Sequence, residues 1–272
     1  MDIYHITEPT APKVPIVISS PHSGTYFPPE IAERLHPEMV ARPDDADWFI
    51  DTLYDFAPAL GITVIKANYC RWVIDLNRDP ESKPLYSDGR VITGLVPFTD
   101  FNGNPLYTGT TPDETEIAQR VQKYYLPYHE KVEELLAQTK QQFGTALLFD
   151  AHSIRKVVPG IQKEAFPQLI LGDNDETSAS SAIIKTAWDV LSNSGYEATH
   201  NTPFKGGHIT RYFGKPDNNI HALQLEMAKT NYMDATETDY SPENAAQIRT
   251  VLKQLFTAVS YTHLRAHETD SY

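Results

Sequence analysis

Two histidines stand directly behind apolar runs, and their side chains are the first in the sequence that could carry chemistry. His22 follows Val14-Pro15-Ile16-Val17-Ile18 and Ser19-Ser20-Pro21, and His152 follows Ala146-Leu147-Leu148-Phe149-Asp150-Ala151. Such short apolar runs bounded by turn residues read as buried strands, so each imidazole is delivered at a strand end. Between them in sequence lies a carboxylate cluster, Asp44, Asp45 and Asp47. Two imidazoles and one carboxylate are the usual ligand set of a catalytic zinc that keeps one position open. Asp45 stands four residues before Phe49, at the inner edge of a helical face, and is the expected third ligand, with Asp47 in reserve. The competing reading is that these aspartates cap a helix and complement its positive N-terminal end.

Glu226 sits in the apolar stretch Ala222-Leu223-Gln224-Leu225-Glu226, where a carboxylate needs a partner. A water activated by a metal would be one, which makes Glu226 the candidate general base; an ion pair with a neighbouring arginine or lysine is the alternative. Arg71 and the pair Asn77-Arg78 bracket a further apolar run, and an arginine fork beside an amide suits a carboxylate. Arg211, after Gly206-Gly207-His208-Ile209-Thr210, is a fourth group of this kind.

Several elements must position these groups. Strands are expected at Val14–Ile18, Ile62–Ala67, Trp72–Leu76, Ala146–Phe149, Gln168–Leu171 and Ala222–Glu226. Helical spacing of Phe49, Leu53, Phe56 and Leu60 predicts a helix from Asp44 to Leu60, and a long amphipathic helix follows over Glu114–Gln142 with a break near Pro127. Further helices are expected over Ser178–Asn193 and from Ser241-Pro242-Glu243, where Ser is the N-cap and Pro opens the first turn. Residues 79–113 lack periodicity and read as a long ordered excursion with a short hairpin, a kind of segment that often covers a site. Strands alternating with helices point to an α/β fold with a largely parallel sheet, whose sites gather at the C-terminal ends of the strands.

The bulk numbers narrow the function. At 272 residues with 40% hydrophobic content the chain can form one large domain burying about three quarters of its unfolded surface. The expected boundaries are 1–259 for a single catalytic domain and 260–272 (SYTHLRAHETDSY) for a non-native tail, whose two histidines are set aside. A net charge of −13 argues against nucleic acid and anionic membranes as partners, and no run is long enough to cross a bilayer or to serve as a signal peptide. A cytoplasmic location is expected. With Cys70 as the single cysteine, any metal must be held by histidine and carboxylate.

The segments PIVISSPHSGTYFP, RPDDADWFIDTLYDFAPALG, YCRWVIDLNRDP, LLFDAHS, PFKGGHITRYFG and HALQLEMAKTNYM, in this order over residues 3–258, resemble N-formylglutamate amidohydrolases of histidine degradation. That resemblance implies a zinc-carboxypeptidase-like (phosphorylase/hydrolase-like) three-layer α/β/α sandwich around a mixed, mostly parallel sheet. It implies hydrolysis of the linear amide of N-formyl-L-glutamate to formate and glutamate, the last step of a histidine degradation route. One divalent metal, zinc first and cobalt, manganese or iron as substitutes, would be held by His22, Asp45 and His152. Asn77 and Arg78 would grip a substrate carboxylate with Arg211 in support, Arg71 would polarise the scissile carbonyl, and Glu226 would be the base. The HxxE metal motif of carboxypeptidases is absent, since Thr25 occupies the acidic position after His22, so the acidic ligand must come from elsewhere.

Two other readings use the same residues. One is a deacylase or carboxypeptidase acting on another N-acyl amino acid or peptide. The other is a non-catalytic dicarboxylate-binding protein on the same scaffold. A serine hydrolase using Ser20 or Ser153 lacks the Gly-x-Ser-x-Gly elbow.

Overall fold

The short apolar runs become strands because their alternating side chains can enter two separate cores at once. The structure is a computed structural model that describes residues 1–81 and 93–269, with side chains described through Thr262. Residues 82–92, inside the expected 79–113 excursion, lie outside the described residues. Seven strands are β1 (Tyr4–Thr7), β2 (Ile16–Ser20), β3 (Thr63–Ala67), β4 (Ala146–Ile154), β5 (Leu169–Gly172), β6 (Ala198–His200) and β7 (Ile220–Ala228). They form one sheet in the order β1-β3-β2-β4-β7-β5-β6. The central strands β3, β2, β4 and β7 are parallel, β1 lies antiparallel on β3, and β5 lies antiparallel on β7 with β6 parallel to β5. The sheet is therefore mixed and mostly parallel, and the chain has the α/β architecture read from its sequence.

One face of the sheet presents Ile16, Ile18, Leu147, Phe149, Leu223 and Leu225 to the helix Ser181–Ser192 and to the C-terminal helix beginning at Pro242. The intervening residues Val17, Ala146, Leu148 and Ala222 face a second core, where Tyr128, Val132 and Leu136 of the helix Leu126–Phe143 pack. This period of two, with helices on both sides, makes three layers. The break expected near Pro127 is a π-helical turn over Val121–Tyr125 between the helices Glu114–Arg120 and Leu126–Phe143. Pro127 has no N–H to return to the preceding turn, and the widened turn accommodates that loss.

Two expectations need correction. The helix from Asp44 to Leu60 is broken into a turn, the helical turn Ile50–Leu53 and the 3₁₀ segment Ala57–Leu60. Phe49 adopts a left-handed conformation (φ 62°) at the start of the first piece, and Pro58 cannot donate back to Tyr54. Trp72–Leu76 is not a strand: Val73 N–H donates to Cys70 in a turn, and Asp75 N–H donates to Leu95. The C-terminal helix runs through Thr269, and after Pro242 it contains neither glycine nor proline. Its start agrees with the sequence, since Asn244 N–H donates to Ser241 Oγ at 3.3 Å.

Candidate metal centre and active site

β2 and β4 are neighbours in the middle of the sheet, so His152, near the C-terminal end of β4, meets His22 in the loop that leaves β2. The two rings lie 4.8 Å apart between centroids. The carboxylate that joins them is Asp47: one ligand atom from each of His22, Asp47 and His152 lies within 4.8 Å of the others, all three residues being buried. Asp47 N–H donates to the His22 carbonyl at 2.9 Å, which couples the two loops that carry these side chains. Lys229, just beyond the end of β7, donates its ammonium to the carbonyls of Asp44 (2.9 Å) and Ala46 (2.7 Å) and clamps the same loop from the other side.

The placement of the ring nitrogens around Asp47 fits a cation at this point. Burial, with Arg71 nearby, pushes the His22 imidazole down to about 4, so the ring is neutral. Its Nε2–H donates to Asp75 Oδ1 at 2.7 Å, and its Nδ1, buried and without a hydrogen bond, faces Asp47 Oδ2 at 3.8 Å. His152 is placed similarly but more tightly, with Nε2 at 2.9 Å from both Asp150 Oδ2 and Asn77 Nδ2, and Nδ1 hydrogen-bonded to Asp47 Oδ2 at 3.0 Å. Burial opposes charge on His152, but Asp150 and Asp47 outweigh it and lift the imidazole well above its usual range. For Asp47 burial is likewise outweighed, by His152, His22 and Arg71, and its pKa is lowered. Two imidazoles that each give one nitrogen to a carboxylate and turn the other toward a shared buried carboxylate have the geometry of metal ligands with their supporting partners.

Glu226 stands beside His152 in the β4–β7 register. Burial, reinforced by Asp47 and Asp150 against His152 and Arg71, pushes its carboxyl up to about 8. Among the described residues its side chain makes no ion pair, and Gln224 reaches it only at 3.5 Å. Its environment therefore holds a proton near neutrality, as a proton shuttle requires.

A family model for N-formylglutamate amidohydrolase matches residues 14–233, which include the three ligand candidates and Glu226. The chain belongs to the N-formylglutamate amidohydrolase family. It is 42% identical over 250 residues to an N-formylglutamate deformylase of Pseudomonas aeruginosa, covering 89% of this chain and 93% of that protein. A Pseudomonas putida protein of the same name is 40% identical over 250 residues, covering 91% and 92%. The crystal structure of an N-formylglutamate amidohydrolase from Ralstonia eutropha JMP134 superposes with a TM-score of 0.77 at 25% identity, covering 99% of this chain and 98% of that one.

In this member of the amidohydrolase family the remaining expected residues fall into two sets. Arg71 is buried and tied to Asp75 Oδ2 (2.5 Å) and the Asp45 carbonyl (3.3 Å), with its guanidinium 4.8 Å over the Phe101 ring. Burial opposes its charge, yet Asp75, Asp47 and Asp45 more than offset that and raise its pKa. Arg78 donates to the Thr93 carbonyl (3.0 Å) and hydroxyl (3.2 Å), and Arg211 to the Gly206 carbonyl (2.9 Å). Asn77 differs from expectation because its amide is committed inside the fold: Nδ2 lies 2.9 Å from His152 Nε2 and donates to Asp150 (3.2 Å), and Oδ1 accepts from Ile209 N–H (2.8 Å). It supports the partner of His152 rather than reaching outward.

Asp45 is the other departure. Its Oδ2 accepts from Trp72 Nε1 (3.1 Å) and Phe101 N–H (2.9 Å), so the carboxylate turns toward the 93–104 segment and away from the imidazoles. Burial pushes it up to about 6 against the nearby arginines. Asp45 and Asp47 are two apart on a chain that is not helical here, so helical spacing could not rank them.

Asp75 and Asp150 escaped the sequence reading altogether. Each left a signal: a carboxylate inside Trp72-Val73-Ile74-Asp75-Leu76, and one two residues before His152 on a strand, hence on the same side. Of the two serines, Ser153 Oγ accepts from Tyr232 and Ser20 Oγ makes no hydrogen bond, so neither has a histidine base. No helix among the described residues is long and apolar enough to cross a membrane.

Proposed function

We propose that the chain hydrolyses N-formyl-L-glutamate to formate and L-glutamate with one divalent metal ion, zinc before cobalt, manganese or iron, held by His22, Asp47 and His152. The observation that carries this reading is the buried, unbonded Nδ1 of His22 aimed at Asp47, in a family member whose curated relatives are named for that activity. His22, Asp47 and His152 would hold a divalent cation, which would supply Lewis-acid chemistry toward the formyl carbonyl and an attacking water.

The residues of the chain do the rest. Glu226 takes the proton of the attacking water and returns it to the departing nitrogen, so that free glutamate leaves as an amine. Burial raises its carboxyl, and a cation at the neighbouring ligands would favour the ionised form that accepts this proton. Arg71, fixed by Asp75 and the Asp45 carbonyl, keeps a positive charge beside the site that favours the oxyanion developing on the formyl oxygen. Arg78 and Arg211 take carboxylate of the glutamyl portion and so orient the small formyl group through remote binding. The substrate is a small anion, no nucleic acid or membrane takes part, and we place the reaction in the cytoplasm at the end of a histidine degradation route.

The test is formate release from N-formyl-L-glutamate by purified protein, before chelation, after it, and with zinc or cobalt restored. N-acetyl and N-succinyl glutamate serve as controls. Chelator-sensitive, formyl-selective release is expected. Release of a different acyl group would overturn the substrate, and undiminished release from metal-free protein would overturn the metal's role.

A further inference from the structure

Asp45 is only 4% exposed, and among the described residues one of its carboxylate oxygens has no hydrogen-bond partner. Trp72 and Phe101 fill Oδ2, while Oδ1 is buried without a hydrogen bond. The nearest cation is Arg155, whose Nη2 stops 3.8 Å from Oδ1. Arg155 in turn spends one long bond, 3.4 Å, on Asn102 Oδ1, and its Nε is buried without an acceptor.

A purely structural ion pair closes to hydrogen-bonding distance, as Lys66 does with Asp51 at 2.6 Å and Arg34 with Glu116 at 2.7 Å. Asp45 and Arg155 do not close, and each keeps an unused buried atom, an arrangement that costs stability unless a ligand completes it. Their place in the chain ties them to the reaction. Asp45 lies two residues before Asp47 and its carbonyl holds Arg71, while Arg155 follows His152 by three residues, one past the end of β4.

We infer that Asp45 and Arg155 form the subsite that reads the amide N–H and the α-carboxylate of an N-acyl amino acid. In such a molecule one donor and one carboxylate hang from the same Cα, so it needs an acceptor and a guanidinium a few ångströms apart. Asp45 Oδ1 accepts the N–H, and Arg155 takes the carboxylate through donors the fold leaves available. Arg78 and Arg211 are then left for the side-chain carboxylate. The inference rests on the proposed hydrolysis for the identity of the ligand, and it explains why Asp45 is acidic and buried without facing the imidazoles.

The experiment compares N-formyl-L-glutamate with its α-carboxamide analogue in wild type, Arg155→Gln and Arg155→Lys. Arg155→Gln should raise KM for N-formyl-L-glutamate by about tenfold or more with kcat changed by less than about threefold, and should erase most of the preference over the α-carboxamide. Arg155→Lys should restore part of that preference. An unaltered preference in both variants, or an equal loss with both compounds, would overturn the subsite. The same ligand ratio measured by calorimetry judges the subsite without turnover: absent formate release with an Arg155-dependent ratio would overturn the reaction and keep the subsite. Wild type that binds neither compound would overturn both.

Discussion

Asp45 and Asp47 are two residues apart and chemically identical, yet burial and partners drive their carboxyls in opposite directions. Asp47 is lowered because two imidazoles and Arg71 outweigh its burial, whereas desolvation dominates at Asp45 and raises it to about 6. On the proposed metal site, removing Asp47 would strip a ligand, while neutralising Asp45 would leave the ligand set whole. In equilibrium dialysis against limiting zinc, Asp47→Ala is expected to weaken metal binding by at least about tenfold, and Asp45→Asn to retain wild-type stoichiometry. The reverse pattern would return the role to Asp45.

Between elements, the approach of the Gly-rich segment to the Asp75–Arg78 loop controls how His152 is held. Gly207 has an ordinary extended backbone, but a Cβ there would lie 2.3 Å from Asn77 Nδ2 and 2.5 Å from its Cγ and Oδ1. Asn77 cannot turn aside, because Asp150 and Ile209 hold both ends of its amide. Gly207→Ala is expected to cost about 1–3 kcal/mol in urea unfolding, typical of overpacking, and to weaken metal binding through Asp150. The penalty should shrink in an Asn77→Ala background, since that removes the clash; equal penalties in both backgrounds would show that the contact is not the cause.

The same loop is joined to the rest of the molecule by His129. From the helix Leu126–Phe143 it donates Nε2–H to the Leu76 carbonyl at 2.8 Å, and its ring stacks on Tyr125 (4.0 Å) and Phe213 (5.7 Å). Burial lowers its pKa from 6.5 to about 3, so the folded protein keeps it neutral. Between these values the unfolded chain binds the extra proton, and its contribution to stability is complete above 6.5 and declines as pH falls toward 3. From pH 7.5 to 5 that loss amounts to about 2 kcal/mol. Urea midpoints of wild type and His129→Gln at the two pH values should show the wild type losing more by about that amount; parallel losses would remove His129 as the source.

Much of this molecule was determined by sequence alone, because local physics sufficed. The apolar runs around Ile16–Ser20, Thr63–Ala67, Ala146–Ile154 and Ile220–Ala228 have nowhere to go but a doubly covered sheet, so strand-end residues such as His22, His152 and Glu226 could be read as neighbours. The tertiary structure decided what depends on chain direction over a few irregular residues. Phe49 and Pro58 break the expected helix, which removes the helical face on which Asp45 was favoured and lets Asp47 meet the imidazoles. Trp72–Leu76 turns instead of extending, because Asp75 gathers His22, Arg71 and the Asn77 N–H around one buried carboxylate. Those partners are 53, 4 and 2 residues away in sequence, and periodicity carries no information about a convergence of that kind.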